Sequence, residues 1–264
     1  MEAGVILCHV LNKDRAFIYT DGDYEPEERE IREYYAKIRL RAEGMPIQHI
    51  TGHQEFMSLD FIVNSDVLIP RGDTEILVES VIRHCNKHTS KEVRILDIGT
   101  GSGCIAVSLA HYIVSSSIVA VDFSLKALEV AKHNALKNKV EERIDFRQID
   151  ILEDSNEIEE NFFDVVVSNP PYIDLEEMGQ LQKEVKDFEP DSALYGGEDG
   201  LDFYRGIVEK AAKFLKPNGL LFFEVGYKQA KKVKKLMENG YKNIQIIQDL
   251  SQIERVVFAT VISL

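Results

Sequence analysis

From Glu92 onward the chain alternates apolar runs of strand length with segments of helical period. No other feature restricts the fold as much. VRILDIG (93–99), SSIVAVD (116–122), IDFRQID (144–150), FDVVVSN (163–169) and GLLFFEVG (219–226) read as buried strands. Helical patterns occupy 103–112, 124–137, 200–215 and 228–239, and two further strand-like runs, 243–250 and 254–263, close the chain as a hairpin. Such alternation predicts an α/β fold with an open, mostly parallel, seven-stranded sheet covered by helices on both faces.

Upstream the pattern is different. Residues 25–43 read as a charged helix with one apolar stripe, its charges forming a solvated face. Residues 46–64 alternate and predict a β-hairpin turning near Met57 and Ser58, and 74–88 read as a helix. A chain of 264 residues needs no disulfide or structural metal to build a core. Cys8, Cys85 and Cys104 are odd in number and in no paired spacing, which fits a reducing compartment. Asp and Glu outnumber Lys and Arg by 45 to 31, a net charge of −14. That balance repels polyphosphate and argues against a large nucleic-acid-binding surface. No run of ~18 apolar residues is present, so no membrane span is expected. The start, MEAGVILCHVLNKDR, lacks the basic opening of a secretion signal, and a cytoplasmic protein is expected.

The first chemical signal is LDIGTGSGCIAVSLA (96–110), a strand, a glycine-rich turn and a helix. Gly99, Gly101 and Gly103 permit a tight turn and close approach of a ligand to the backbone. The pattern alone suits a dinucleotide, a nucleoside cofactor or simple strand–helix packing. Three acidic strand tips narrow the choice. Asp97 suits a cationic ligand better than a pyrophosphate. Asp122, roughly 20 residues after the turn, is placed to accept ribose hydroxyls. Asp150 or its neighbouring backbone could take an adenine amine. Together they favour S-adenosyl-L-methionine over a nicotinamide or flavin, although each Asp alone could be a helix cap.

The second signal is VVVSNPPYI (165–173). A rigid strand exit would explain the prolines alone. Proline fixes φ near about −65° and drives the residue before it towards extended geometry, so Asn169 and Pro170 are both pinned. Their two carbonyl oxygens form a pair of acceptors for one –NH₂ group, and Tyr172 offers a flat face to a planar amide or base. Asn169 also falls on the carboxyl-terminal sheet edge where ligands of open α/β sheets bind.

LDIGTGSG, VAVD and VSNPPYI resemble the class I S-adenosylmethionine-dependent methyltransferases that modify amide or exocyclic amine nitrogens. Residues 46–79, 188–207 and 249–259 extend the resemblance, over roughly residues 3 to 260, to the peptide chain release factor glutamine N5-methyltransferases. It implies a helical substrate-docking domain (1–45), a β-hairpin linker (46–66) and a Rossmann-like catalytic domain (67–264). The implied activity is methylation of the glutamine of the Gly-Gly-Gln motif in class I release factors, by a monomer without stable nucleic acid. Asp97, Gly99, Thr100, Gly101, Ser102, Gly103, Asp122, Phe123, Asp150, Ile151 and Asn169 would hold the cofactor. Asn169, Pro170, Pro171 and Tyr172 would hold the glutamine, with Asn169, Pro170 and Tyr172 acting in catalysis. Arg71, Thr74 and Glu75 are implied near the cofactor.

Two departures from the family pattern stand out. Gly72 replaces a proline in a segment usually reading I-P-R-P-x-T-E, and the helical domain looks shortened by a helix. A glutamine methyltransferase of a ribosomal protein and an N6-adenine methyltransferase are the rival enzymes, and a non-catalytic cofactor sensor is the rival of another class. His84 and His88 flank Cys85 without a third ligand at useful spacing, so no metal is expected. His49 and His53 receive no role, and LFFEVG (221–226) reads as a plain core strand.

Overall fold

The structure is a computed structural model describing residues 2–86, 92–153 and 156–262. It opens with helices α1 (Glu2–Leu11), α2 (Arg15–Thr20), α3 (Glu28–Ala42) and α4 (Ile47–Thr51). The hairpin β1 (His53–Phe56) and β2 (Leu59–Ile62) follows, then α5 (Gly72–Cys85). The remainder is β3 (Val93–Ile98), α6 (Cys104–Tyr112), β4 (Ser116–Asp122), α7 (Leu125–Lys137), β5 (Ile144–Gln148), β6 (Phe163–Ser168), α8 (Leu175–Met178) and α9 (Lys183–Lys186). It ends with α10 (Asp202–Phe214), β7 (Leu215–Glu224), α11 (Ala230–Met237), β8 (Tyr241–Gln248) and β9 (Glu254–Val261).

The seven-stranded sheet has the order β5-β4-β3-β6-β7-β9-β8, parallel except where β9 enters between β7 and β8. From β3 the chain builds outward through β4 and β5, then returns to the other side of β3 with β6. Strand order therefore reverses between β3 and β6, and the crevice beyond their carboxyl ends is where an open α/β sheet binds ligands. Alternation along each strand separates two cores. Leu96, Val166 and Phe223 face α10 and α11, whereas Ile95, Val167 and Phe222 face α5 and α6.

Helix α3 carries a capping box between Glu27 and Glu30 and buries none of its residues. It is tied to α1 by Arg41, which donates to both carboxylate oxygens of Glu2 at 3.0 and 3.1 Å. The expected hairpin turn falls at Met57 and Ser58, whose φ values of 51° and 57° suit a two-residue connection. Residues 47–51, expected within the alternating segment, belong to α4, which Gly52 ends in a left-handed conformation. Strand β7 starts four residues earlier than its apolar run, because α10 passes directly into Leu215, which pairs with Phe163.

Asn134 of α7 fastens the hairpin to the α/β unit. Its amide Nδ2 donates to the Ile62 and Ser102 carbonyls at 2.9 and 2.8 Å, and its Oδ1 accepts from the Ile62 N–H at 2.7 Å. The side chain is fully buried. Asn134→Leu strands three backbone groups without partners, and unpaired buried groups cost about 1–3 kcal/mol each. Chemical denaturation is expected to read a loss of roughly 3 kcal/mol. A loss below about 1 kcal/mol would mean the hairpin is held by other contacts.

Candidate active site

Beyond the tips of β3, β4, β5 and β6 lies a cleft with mainly apolar walls. Nine of the residues expected at a site line it: Gly99, Gly101, Asp122, Phe123, Asp150, Ile151, Asn169, Pro170 and Pro171. The glycine turn and the Asn-Pro-Pro exit thus share one cavity. Asp97, Thr100, Ser102, Gly103 and Tyr172 are not part of its lining.

The turn is shaped by φ values of 72°, 55° and 79° at Gly99, Gly101 and Gly103. Asp122 braces it from the next strand. Its Oδ2 accepts the Gly101 N–H at 2.9 Å and its Oδ1 accepts the Ser124 N–H at 2.9 Å. Burial pushes this carboxyl upward, and the amides of Ser124, Gly101 and Phe123 oppose that rise. A carboxylate has room for about four such bonds, so lone pairs remain for a ligand's hydroxyls. Asp150 is exposed, and its Oδ1 accepts the Leu152 N–H at 2.9 Å in a local turn.

Asp97 differs from its expected ligand-facing position. Alternation along β3 puts it on the Ile95 side, under α6, where it is fully buried. The Thr100 hydroxyl donates to its Oδ2 at 2.7 Å, and Oδ1 has no hydrogen-bond partner. Burial pushes the carboxyl up to about 7; Thr100 and the nearby Ala106 amide pull it down, and Asp122 adds a small rise. Because the folded value lies above the ordinary one, the neutral acid stabilises the fold. That contribution is complete below pH ~4 and is lost as pH rises through about 7. Asp97→Asn should therefore match the parent's unfolding midpoint only near pH 4 and exceed it increasingly up to pH 8. A difference that stays flat with pH would contradict this.

Asn169 emerges from β6 half-buried, and its Nδ2 donates to the Thr74 hydroxyl at 3.3 Å. With the nitrogen engaged inside the protein, Oδ1 is left as the acceptor on the cleft side. The backbone beyond is clamped by residues 194–200. Ile173 N–H donates to the Leu194 carbonyl and Gly196 N–H to the Ile173 carbonyl, both at 2.9 Å. A Cβ at Gly196 would come within 2.7 Å of the Pro171 carbonyl, so only glycine allows this approach. Tyr172 corrects the sequence expectation of a flat face against a planar amide. Its ring packs on the core beside Gly226, and its carbonyl accepts from Gln229 Nε2 at 2.8 Å. The turn of backbone after Pro171 carries the ring away from the cleft.

Other residues lining the cleft escaped sequence reasoning. Asp66, Val67 and Leu68 come from the segment after the hairpin, Pro190 from the loop after α9, and Phe203 from α10. None has a chemical signature in the sequence, although their segments lie within the family resemblance. Glu75 sits away from the cleft and accepts the Met57 N–H at 2.6 Å, fixing the hairpin turn. Arg71 pairs with the buried Glu189. His84 Nδ1 lies 2.7 Å from the Ser80 carbonyl and its ring contacts Phe222 and Phe258; His88 lies outside the described residues. His53 pairs with Asp60 at 3.1 Å, and burial lowers the pKa of His49. No group of three or more His, Cys, Asp or Glu residues is arranged to hold a metal among the described residues. Nor is any described helix long and apolar enough to cross a membrane.

Residues 89–257 match the family model described as a methyltransferase domain, and residues 1–52 match the PrmC N-terminal domain. The chain is 44% identical over 259 residues to the release factor glutamine methyltransferase of Clostridium acetobutylicum, covering 98% of this chain and 90% of that protein. A release factor glutamine methyltransferase of Koribacter versatilis is 41% identical over 258 residues, covering 97% and 89%. Among solved structures, a methyltransferase from Pyrococcus furiosus aligns with a TM-score of 0.55 at 18% identity, covering 88% of this chain and 97% of that one. That last likeness is one of fold.

Proposed function

Since the chain belongs to the release factor glutamine methyltransferase family, we propose that its cleft methylates the side-chain amide of the Gly-Gly-Gln glutamine in class I release factors. The observation that carries this reading is the shared cavity, which joins a nucleoside-type glycine turn to a pinned amide acceptor. When bound, S-adenosyl-L-methionine supplies an electrophilic methyl on a sulfonium. The cradle suits it: a Cβ at Gly99 would meet no protein atom within 4 Å, and Asp122 keeps lone pairs free. Asp122 would take the ribose hydroxyls, and Ile151 and Phe123 would flank the adenine near Asp150.

The glutamine nitrogen is a weak nucleophile because its lone pair is delocalised into the carbonyl. Asn169 Oδ1 and the Pro170 carbonyl accept its two hydrogens, polarise them and fix the direction of the nitrogen. Orientation of this kind supplies several kcal/mol, with about 7–11 as its general upper range. The N-methylated amide cation that transfer would leave, beside S-adenosyl-L-homocysteine, is strongly acidic and would shed its proton to solvent, so no base is assigned. Tyr172 supports the loop from the core, and Thr100 and Ser102 shape the turn through their neighbours. Residues 1–45 would dock the substrate, 46–66 link, and 67–264 catalyse, as a monomer in the cytoplasm.

Methyl-labelled cofactor offered with a release factor, a ribosomal protein fraction and adenine-containing DNA separates the rival enzymes. Label is expected in the release factor. Label in DNA alone would overturn the reading, and cofactor binding without transfer to any acceptor would favour a sensor.

A further inference from the structure

An asparagine amide can sit in two orientations related by a half-turn, and only one presents its oxygen to a substrate –NH₂. Thr74 does not select between them by itself. Its hydroxyl can accept from Asn169 Nδ2, as found at 3.3 Å, or donate to Asn169 Oδ1 after a flip. Selection requires an acceptor that occupies the Thr74 proton.

Glu224 supplies such a group. It ends β7 within the apolar run LFFEV, on the α5 side of the sheet, and is only 3% exposed. A hydrophobic residue would complete the core there, yet a carboxyl is buried with Oε2 lacking any partner. Thr74 and Asn169 both interact with this carboxyl and favour its ionised form. We propose that Glu224 is a positioning residue: its carboxylate holds the Thr74 hydroxyl proton, keeps the Thr74 oxygen an acceptor, and thereby turns the Asn169 carbonyl into the cleft. This inference rests on the reading of Asn169 as the acceptor for the substrate amide.

The surroundings keep the carboxylate near its threshold for ionisation. Asp73 and Thr74 face it from α5, Arg255 from β9, Cys104 from α6, Tyr204 from α10, and Asn169 and Tyr172 from the exit loop. Arg255 is committed to Asp73 at 2.9 Å and Asp249 at 3.0 Å, so it neutralises Glu224 only in part. Burial pushes the Glu224 carboxyl up to about 7, with Asp73 adding to the rise. The ionised form, present above that value, holds the amide in its working orientation. The protonated form donates to Thr74 and releases it, so turnover rises as pH increases through about 7.

The test uses the full chain with Glu224→Gln, Thr74→Val, Asn169→Ala and the Glu224→Gln/Asn169→Ala pair. Glu224→Gln should fold, bind cofactor within about 2-fold of the parent and lose kcat by roughly 10–100-fold, the scale of a small misplacement. The rise in kcat through neutral pH should vanish. In the Asn169→Ala background the same change should alter kcat less than about 2-fold, because the two residues act as one unit. Thr74→Val, which leaves Glu224 intact, should reproduce the loss. A wild-type kcat for Glu224→Gln, or an undiminished loss in the Asn169→Ala background, overturns the inference.

A second readout needs no protein substrate. The Asn169 side-chain ¹⁵N–¹H₂ resonances of the free protein should shift between pH 6 and 8 and stop doing so in Glu224→Gln. Absence of that titration overturns the positioning role. Its presence in a protein that leaves release factors unmethylated overturns the substrate assignment alone.

Discussion

Asn169→Ala is expected to lower kcat at least about 100-fold, the usual cost of deleting one preorganised polar group at a reacting centre. Cofactor affinity should change less than about 3-fold, because the glycine turn and Asp122 stay in place. The expected split follows from the geometry. The Asn169 side chain lies between Thr74 and the cleft and donates to the Thr74 hydroxyl, whereas the glycine turn is braced by Asp122. The Pro170 carbonyl would still accept one substrate hydrogen, so binding of the release factor should weaken less than turnover. Calorimetric titration with cofactor and single-turnover methyl transfer measure the two quantities separately. Equal loss of both would mean that Asn169 holds the cofactor rather than the amide.

Asp122→Ala should fail in the opposite way. Removing this carboxylate strips the Gly101 and Ser124 amides of their acceptor and removes the proposed anchor for two ribose hydroxyls. Charge-assisted hydrogen bonds contribute about 1.5–3 kcal/mol each. Together they predict a cofactor dissociation constant higher by on the order of 100-fold or more. Turnover at saturating cofactor should fall far less. The carboxylate is largely buried, so its loss also loosens the turn, and a modest drop in thermal stability should accompany the change. An unchanged dissociation constant would remove Asp122 from the cofactor site.

The seven strands were legible because buried parallel strands concentrate apolar residues, and the glycine turn and Asn-Pro-Pro were legible because backbone geometry restricts which residues can serve there. The hairpin turn was placed at the right two residues. Side-chain direction was harder to read. Asp97 looked like a ligand group because it ends a strand, but one step of alternation sent it under α6. Tyr172 looked like a stacking platform because it follows the prolines, but Gly226 and Gln229 draw it to the core. Asn134 and Glu224 act on partners many residues distant, with no local spacing to mark them, and Thr74 was marked only by the family resemblance. Glu224 in particular sits in a run that reads as plain core strand, and only its buried, unpartnered oxygen sets it apart.

The most direct test of the account is fragmentation mass spectrometry of a class I release factor after incubation with this chain and S-adenosyl-L-methionine. A release factor carrying alanine in place of the Gly-Gly-Gln glutamine serves as the matched control. The account predicts one added methyl, on the side-chain amide nitrogen of that glutamine, and none in the control. A methyl found on any other residue, or equally in both proteins, would contradict the assignment of the Asn-Pro-Pro acceptors to that amide.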